Sequence, residues 1–265
     1  MTETTTIDRA HAAMAAAPGE DAARLRFYAA LADCELFLLI EEAGEEAEVR
    51  PRIFALEEGR VVLAFDREAR LAAFAEGPAP YAALPGRVLA QRLAGSGIGL
   101  GLNLAVAPSE FLMPPEAGDW LAAALGAGPD ETAARPVEFA PPRGLPEALL
   151  SALDSKLALM AGLAERALLA GVAYDDGRRG HLLALVGARA GAEPALAKAV
   201  AEALTFCGIE AGELDVTFLP ADAPATEAMA RAALAFEIPA PAPETAQVVA
   251  PAAPGMDPAR PPKLR

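Results

Sequence analysis

Lysine is scarce in this sequence: among 265 residues there are three, Lys156, Lys198 and Lys263. No basic run exceeds the pair Arg178-Arg179, and the formal net charge is −15, with a pI near 4.6. Proteins that bind phosphate backbones do so with clustered lysine and arginine, so nucleic acid is excluded as a partner class. A long apolar run is missing too. Apolar residues make up 54% of the chain and the mean hydropathy is +0.27, but alanine, which buries little area, carries much of both. The strongest runs, Leu36–Ile40 and Leu182–Val186, are strand-sized and fall short of the ~20 residues that a membrane-spanning helix needs. Met1–Thr6 is polar and Glu3 and Asp8 are acidic, unlike the basic leader of a signal peptide. These features predict a soluble, cytoplasmic protein with no membrane partner.

Reactive side chains are few as well. Cys34 and Cys207 stand alone, without the CxxC spacing of a zinc or redox site, and read as small buried hydrophobes. Two histidines occur: His11 in an alanine-rich leader expected to be mobile, and His181 at the opening of a strand beside an Asp-Asp turn. Gly95–Gly101 is glycine-rich, but Leu102 stands where GxGxxG needs its third glycine. No Gly-Lys-Ser/Thr follows for a phosphate loop, and Gly95-Ser96-Gly97 lacks the spacing of a nucleophile elbow. Glu41-Glu42 and Glu45-Glu46 gather carboxylates without the alternating ligands and central glycine of a calcium loop. Hydrolases and transferases need a positioned base with a nucleophile or metal, and this inventory predicts no catalytic residues, no metal and no cofactor.

Proline divides the chain. Eight of its 24 prolines follow Glu237, and five more lie between Pro129 and Pro146. Proline breaks helices and cannot donate to a strand ladder, so such density marks linkers and tails. The division predicted is a flexible N-terminal tail (1–20), a first domain (21–127), a Pro-rich linker (128–144), a second domain (145–237) and a disordered Pro-rich tail (238–265). In the first domain Leu25, Tyr28, Leu31 and Ala32 recur at helical spacing. Leu36–Ile40 reads as a buried strand, and Arg52–Leu56 and Val61–Phe65 read as a hairpin around Glu57–Arg60. Asp66 is the expected N-cap of a helix through Phe74. A Pro/Gly loop, a short helix over Gly86–Leu93 and a closing helix over Glu116–Leu125 complete it. The second domain reads as an amphipathic helix over Leu145–Met160, strands over Arg166–Tyr174 and His181–Val186, a helix over Glu193–Phe206, a strand over Leu214–Leu219 and a final helix over Thr226–Ala235. That order predicts an α+β class: two small domains, each a mainly antiparallel or mixed sheet with helices packed on it.

Between the helices of the first domain, Ile98–Leu104 has period two. Ile98, Leu100, Leu102 and Leu104 share one face, and Gly99, Gly101 and Asn103 the other. A strand with one bare face lets something approach its backbone closely, which makes Gly99, Gly101 and Asn103 the candidate partner-binding residues.

Four segments then carry a likeness: Arg26-Phe27-Tyr28 with Glu35–Leu39; Val61–Leu71; Gly97–Asn103; and the helix after Met113-Pro114-Pro115-Glu116. They resemble the N-terminal domain of the SseB (enhanced serine sensitivity) family, and the stretch from Leu145-Pro146-Glu147 to Asp215–Pro220 resembles the family's C-terminal domain. Two departures stand out. Phe65-Asp66-Arg67 replaces the family's Phe-Thr-Ser, keeping a capping side chain, and Asn103-Leu104-Ala105 replaces Asn-Pro-Gly at the site of a tight turn. The resemblance carries over no catalytic residue; its name implies a link to serine or amino-acid metabolism. The function expected is that of a non-enzymatic binding or adaptor protein with a protein partner. The alternative is a small-molecule-binding regulator or weak enzyme using a cleft between the domains.

Overall fold

The computed structural model describes residues 4–41, 50–57, 59–128, 134–208 and 214–241. Eight helices and eleven strands among them build two sheets, an α+β architecture. The first half contains α1 (Thr6–Ala16), α2 (Asp21–Asp33), β1 (Glu35–Leu39), β2 (Ile53–Leu56), β3 (Gly59–Phe65), α3 (Glu68–Phe74), β4 (Tyr81–Pro85), α4 (Gly86–Leu93), β5 (Gly99–Leu102), β6 (Phe111–Met113) and α5 (Pro115–Gly126). Its sheet runs β4-β1-β3-β5-β6, and β2 also pairs with β3. Leu56 stands opposite Gly59, the hairpin expected from the sequence, although Glu58 and the acidic stretch 42–49 lie outside the described residues. Only β3 and β5 run parallel, with α3, β4 and α4 as the crossover.

The second half contains β7 (Pro136–Ala140), α6 (Glu147–Ala158), β8 (Arg166–Tyr174), β9 (Arg179–Val186), α7 (Glu193–Cys207), β10 (Leu214–Leu219), α8 (Pro224–Ala230) and β11 (Leu234–Glu237). Its strands are ordered β10-β9-β8-β11, with β7 also on β8. The parallel pair β9/β10 is joined by α7, whose chain turns at Gly208 in the left-handed conformation.

Alternation along each strand places one apolar face under helices. Leu36, Leu38, Val62, Ala64, Leu100 and Leu102 lie beneath α1, α2, α4 and α5, and Phe206 of α7 joins that same core. Leu169, Leu183 and Leu185 meet Leu149, Leu153, Leu196 and Val200 from α6 and α7. At about 25 cal/mol per Å² of apolar surface removed from water, these two layers are the main source of stability.

Four expectations are corrected. Residues 6–16 of the presumed tail form α1. Thr5 caps it, accepting from the Asp8 amide, while the Asp8 carboxylate accepts from the Thr5 amide, and Ile7 is driven into the core. The presumed linker contributes β7, whose backbone pairs with β8 despite Pro136, because an edge strand tolerates proline. The helix expected over Thr226–Ala235 ends at Ala230. Beyond it β11 pairs with β8, and Phe236 and Ile238, two apart, are both buried. Alanine's helical propensity there is a weak preference that a strand ladder and two buried side chains override. Finally, Ile238–Pro241 of the presumed C-terminal tail packs on the body, with the Gly162 amide donating to the Pro239 carbonyl; residues 242–265 lie outside the described residues.

Candidate functional site

The glycine-faced strand is where the sequence placed a docking surface, and the structure closes it. Leu100 and Leu102 point into the core as expected, but Asn103 and Ala105 adopt positive φ of 51° and 61°. The turn they make swings Leu104 away from its expected companions and lays it over Gly101. A Cβ there would stand 2.6 Å from Leu104 Cδ1 and 2.6 Å from Leu63 Cδ2. At Gly99 a Cβ would stand 2.7 Å from the Met113 carbonyl oxygen of neighbouring β6. Asn103 is fully buried, its Oδ1 accepting from the Asp66 amide and its Nδ2 donating to Ser109 Oγ. Gly99, Gly101 and Asn103 are thus covered by the chain's own atoms.

Asn103 instead belongs to a buried polar knot at the C-terminal ends of parallel β3 and β5. Asp66, the expected N-cap, leaves that position to Arg67. Its carboxylate accepts from Arg70 Nη1 at 2.7 Å and from Thr5 Oγ1 at 2.6 Å. The Arg70 fork meets the Asp8 carboxylate with both nitrogens, at 3.0 and 2.6 Å, and Ser109 Oγ donates to the same carboxylate. Burial pushes the Asp8 carboxyl upward, but the Arg70, Ser109 and Thr5 donors outweigh it and hold the group well below the usual carboxylate range. Each charge is paired, which is what makes burying it tolerable.

A second set of charges, also unseen in the sequence, lies where the two halves meet. Arg87 donates to both Glu202 oxygens, at 3.0 and 3.1 Å, and also to Asp33. Lys156 Nζ reaches Asp33 at 2.7 Å and Glu202 at 3.0 Å. Lys156 and Glu202 are buried, while Asp33 and Arg87 are partly so. Asp33 ends α2 and Arg87 lies in the first turn of α4, so each charge sits at the helix end that disfavours it and depends on its partners. The cleft imagined between the domains is filled at this point by two cations and two carboxylates bonded to one another.

The remaining candidates are distributed singly. His11 lies on α1 with its ring edge toward Phe27 at 5.7 Å, not in a mobile leader. His181 Nε2 is 3.1 Å from the Arg143 carbonyl, which can only accept. Burial pushes the Cys34 thiol up to about 12, with Asp66 and Asp33 adding to it, and burial raises Cys207 as well; both are protonated at neutral pH. Among the described residues, no three His, Cys, Asp or Glu gather as metal ligands, and no helix is long and apolar enough to cross a membrane.

The first half also carries an open groove. Asp21, Arg24, Leu25 and Tyr28 on α2 and Ala117 and Trp120 on α5 line a cavity of about 370 Å³. Trp120, the sole tryptophan of the chain, is 41% exposed. Its ring lies 5.6 Å from that of Tyr28 and 6.3 Å from that of Phe206 on α7. Burial raises the Tyr28 phenol, with the Arg24 charge opposing. Arg24 pairs with Asp21 at 2.6 Å on the rim, and Glu20 and Glu116, each adjacent in sequence to a lining residue, are exposed. The sequence signal for this groove was present: a lone tryptophan on a helix, facing the Asp21, Arg24 and Tyr28 stripe at spacings of three and four.

Two mixed sheets joined through packed helices define an α+β protein. Residues 9–117 match the family model of the SseB protein N-terminal domain, so the first half of the chain is similar to that domain. The match ends within α5 and does not extend to the second sheet. No curated protein and no solved structure matches the chain.

Proposed function

We propose that this chain is a non-enzymatic, cytoplasmic adaptor whose docking surface is the α2/α5 groove. The observation that supports it is Trp120: a large aromatic ring left 41% exposed beside the buried ring of Tyr28, over a concave surface. Aromatic anchors of this kind are the side chains that contribute most to protein interfaces, because they offer area with little rotamer entropy to lose. Asp21 and Arg24 on the groove's edge neutralise each other, while exposed Glu20 and Glu116 adjoin lining residues in sequence and leave a net negative surround, so the fitting partner presents an extended apolar segment with basic flanks. A role in serine or amino-acid metabolism is the family-level extension of this reading.

The test compares tagged wild type with Trp120→Ala in affinity capture from the native cytoplasm. The expected outcome is a stoichiometric partner that wild type retains and the variant releases, with unchanged circular dichroism. A variant that keeps every partner at wild-type stoichiometry sinks the groove as the docking surface.

A further inference from the structure

The described chain ends at Pro241, packed against Gly162 of the second half. Beyond it the sequence reads Pro251-Ala252-Ala253-Pro254 and then Pro258-Ala259-Arg260-Pro261-Pro262-Lys263-Leu264-Arg265. These are two P-x-x-P spacings, the second followed by a cation two residues on. Such spacing matches the three-residue turn of a polyproline II helix, which places successive prolines on one face. Aromatic-lined grooves take this helix because it is already extended and loses little entropy on binding. From Ala242 onward the segment carries three cations, Arg260, Lys263 and Arg265, against two carboxylates, Glu244 and Asp257. This segment therefore carries +1 and residues 1–241 carry −16, which together make the net charge of −15.

We infer that residues 251–265 form the groove's own ligand: the prolines of Pro258–Pro262 seat on Trp120 and Tyr28, and Lys263 and Arg265 meet Glu20, Asp21 and Glu116. The inference rests on the groove being a docking surface. Reach is sufficient. Sixteen residues lie between Pro241 and Pro258, roughly 50 Å in a polyproline II conformation, against a radius of gyration of about 18 Å for a folded body of this size. Docked in this way, the tail competes with any partner for the same aromatic rings, and a partner must displace it. Binding of an outside segment is weakened by the fraction of molecules in which the groove is already occupied.

Trp120 reports on this directly, since no other tryptophan contributes to the emission. Acrylamide quenching is measured in the full chain, in a chain ending at Pro241, and in that shorter chain titrated with a synthetic peptide of residues 250–265. The full chain is expected to quench roughly twofold less, because covering half of an exposed ring halves collisional access, and the peptide is expected to restore that protection saturably. Pro258→Ala with Pro261→Ala in the full chain should return quenching to the level of the shorter chain, and raised salt should weaken the peptide's effect. Equal quenching in full and shortened chains, or a peptide without effect, overturns the inference. Protection that disappears on dilution also overturns it, by assigning the occupant to a second copy. If the tail leaves Trp120 unprotected while Trp120→Ala still releases the partner, self-occupancy alone fails and the docking surface stands.

Discussion

At the scale of single residues, the buried charge of Arg70 is the most demanding feature of the first half. Its guanidinium is tolerated because Asp8 and Asp66 face it and Ser109 completes the set. Asp8→Asn keeps the shape and removes the charge, leaving Arg70 with one carboxylate. At pH 7 the variant should lose about 3–5 kcal/mol in urea unfolding, the cost of breaking a buried pair. The pH dependence has a definite sign. A carboxyl held below its unfolded value near 4 contributes stability above that pH, and the contribution fades as pH falls toward the folded value. The gap between wild type and Asp8→Asn should therefore narrow below pH 4 by up to about 1.4 kcal/mol per pH unit. A gap that stays constant from pH 7 to pH 3 would contradict this account of Asp8.

Among the elements, β5 shows how a sequence pattern was read correctly for one face and wrongly for the other. Leu100 and Leu102 announced a buried strand by their alternation, and they are buried. The opposite face carried no side chains to indicate what covers it. The covering atoms come from β6, from β3 and from Leu104, which a left-handed turn at Asn103 folds back over Gly101. Gly99→Ala should consequently destabilise by roughly 1–3 kcal/mol, because the added methyl meets a backbone carbonyl that cannot move without disturbing the β5/β6 pairing. Gly19→Ala, facing open space, is the control and should change stability little. Thermal denaturation of the two variants distinguishes this from a glycine face kept bare for a partner, for which both would be tolerated. α1, β7 and β11 were missed for related reasons. Each is short or alanine- and proline-rich, and each forms because a distant element offers it a buried contact or a ladder.

For the whole molecule, the four charges joining Asp33, Arg87, Lys156 and Glu202 decide whether the halves unfold together. Phe206 inserts into the first core and the charge set flanks it, so both apolar packing and ion pairing cross the boundary. Glu202→Gln leaves two cations with one carboxylate. It is expected to cost about 3–5 kcal/mol and to split a single calorimetric transition into two. Adding Lys156→Met restores charge balance and should recover at least part of that loss, since buried ion sets can be exchanged for apolar side chains of similar volume. A double variant less stable than Glu202→Gln would show that Lys156 is held by something other than charge balance.

The amino-acid order by itself determined the α+β class, the hairpin at β2 and β3, the amphipathic helices and the inward faces of Leu100, Leu102, Leu183 and Leu185. These follow from periodicities of two and 3.6 that span a few neighbouring residues. Only the tertiary structure decided which of those faces are covered and by what. Asp8 meets Arg70 across 62 residues, Arg87 meets Glu202 across 115, and Lys156 meets Asp33 across 123. Charges so far apart leave no local signature. Ion pairing and aromatic contact require only closeness in space, and the chain's path through two sheets supplies that closeness.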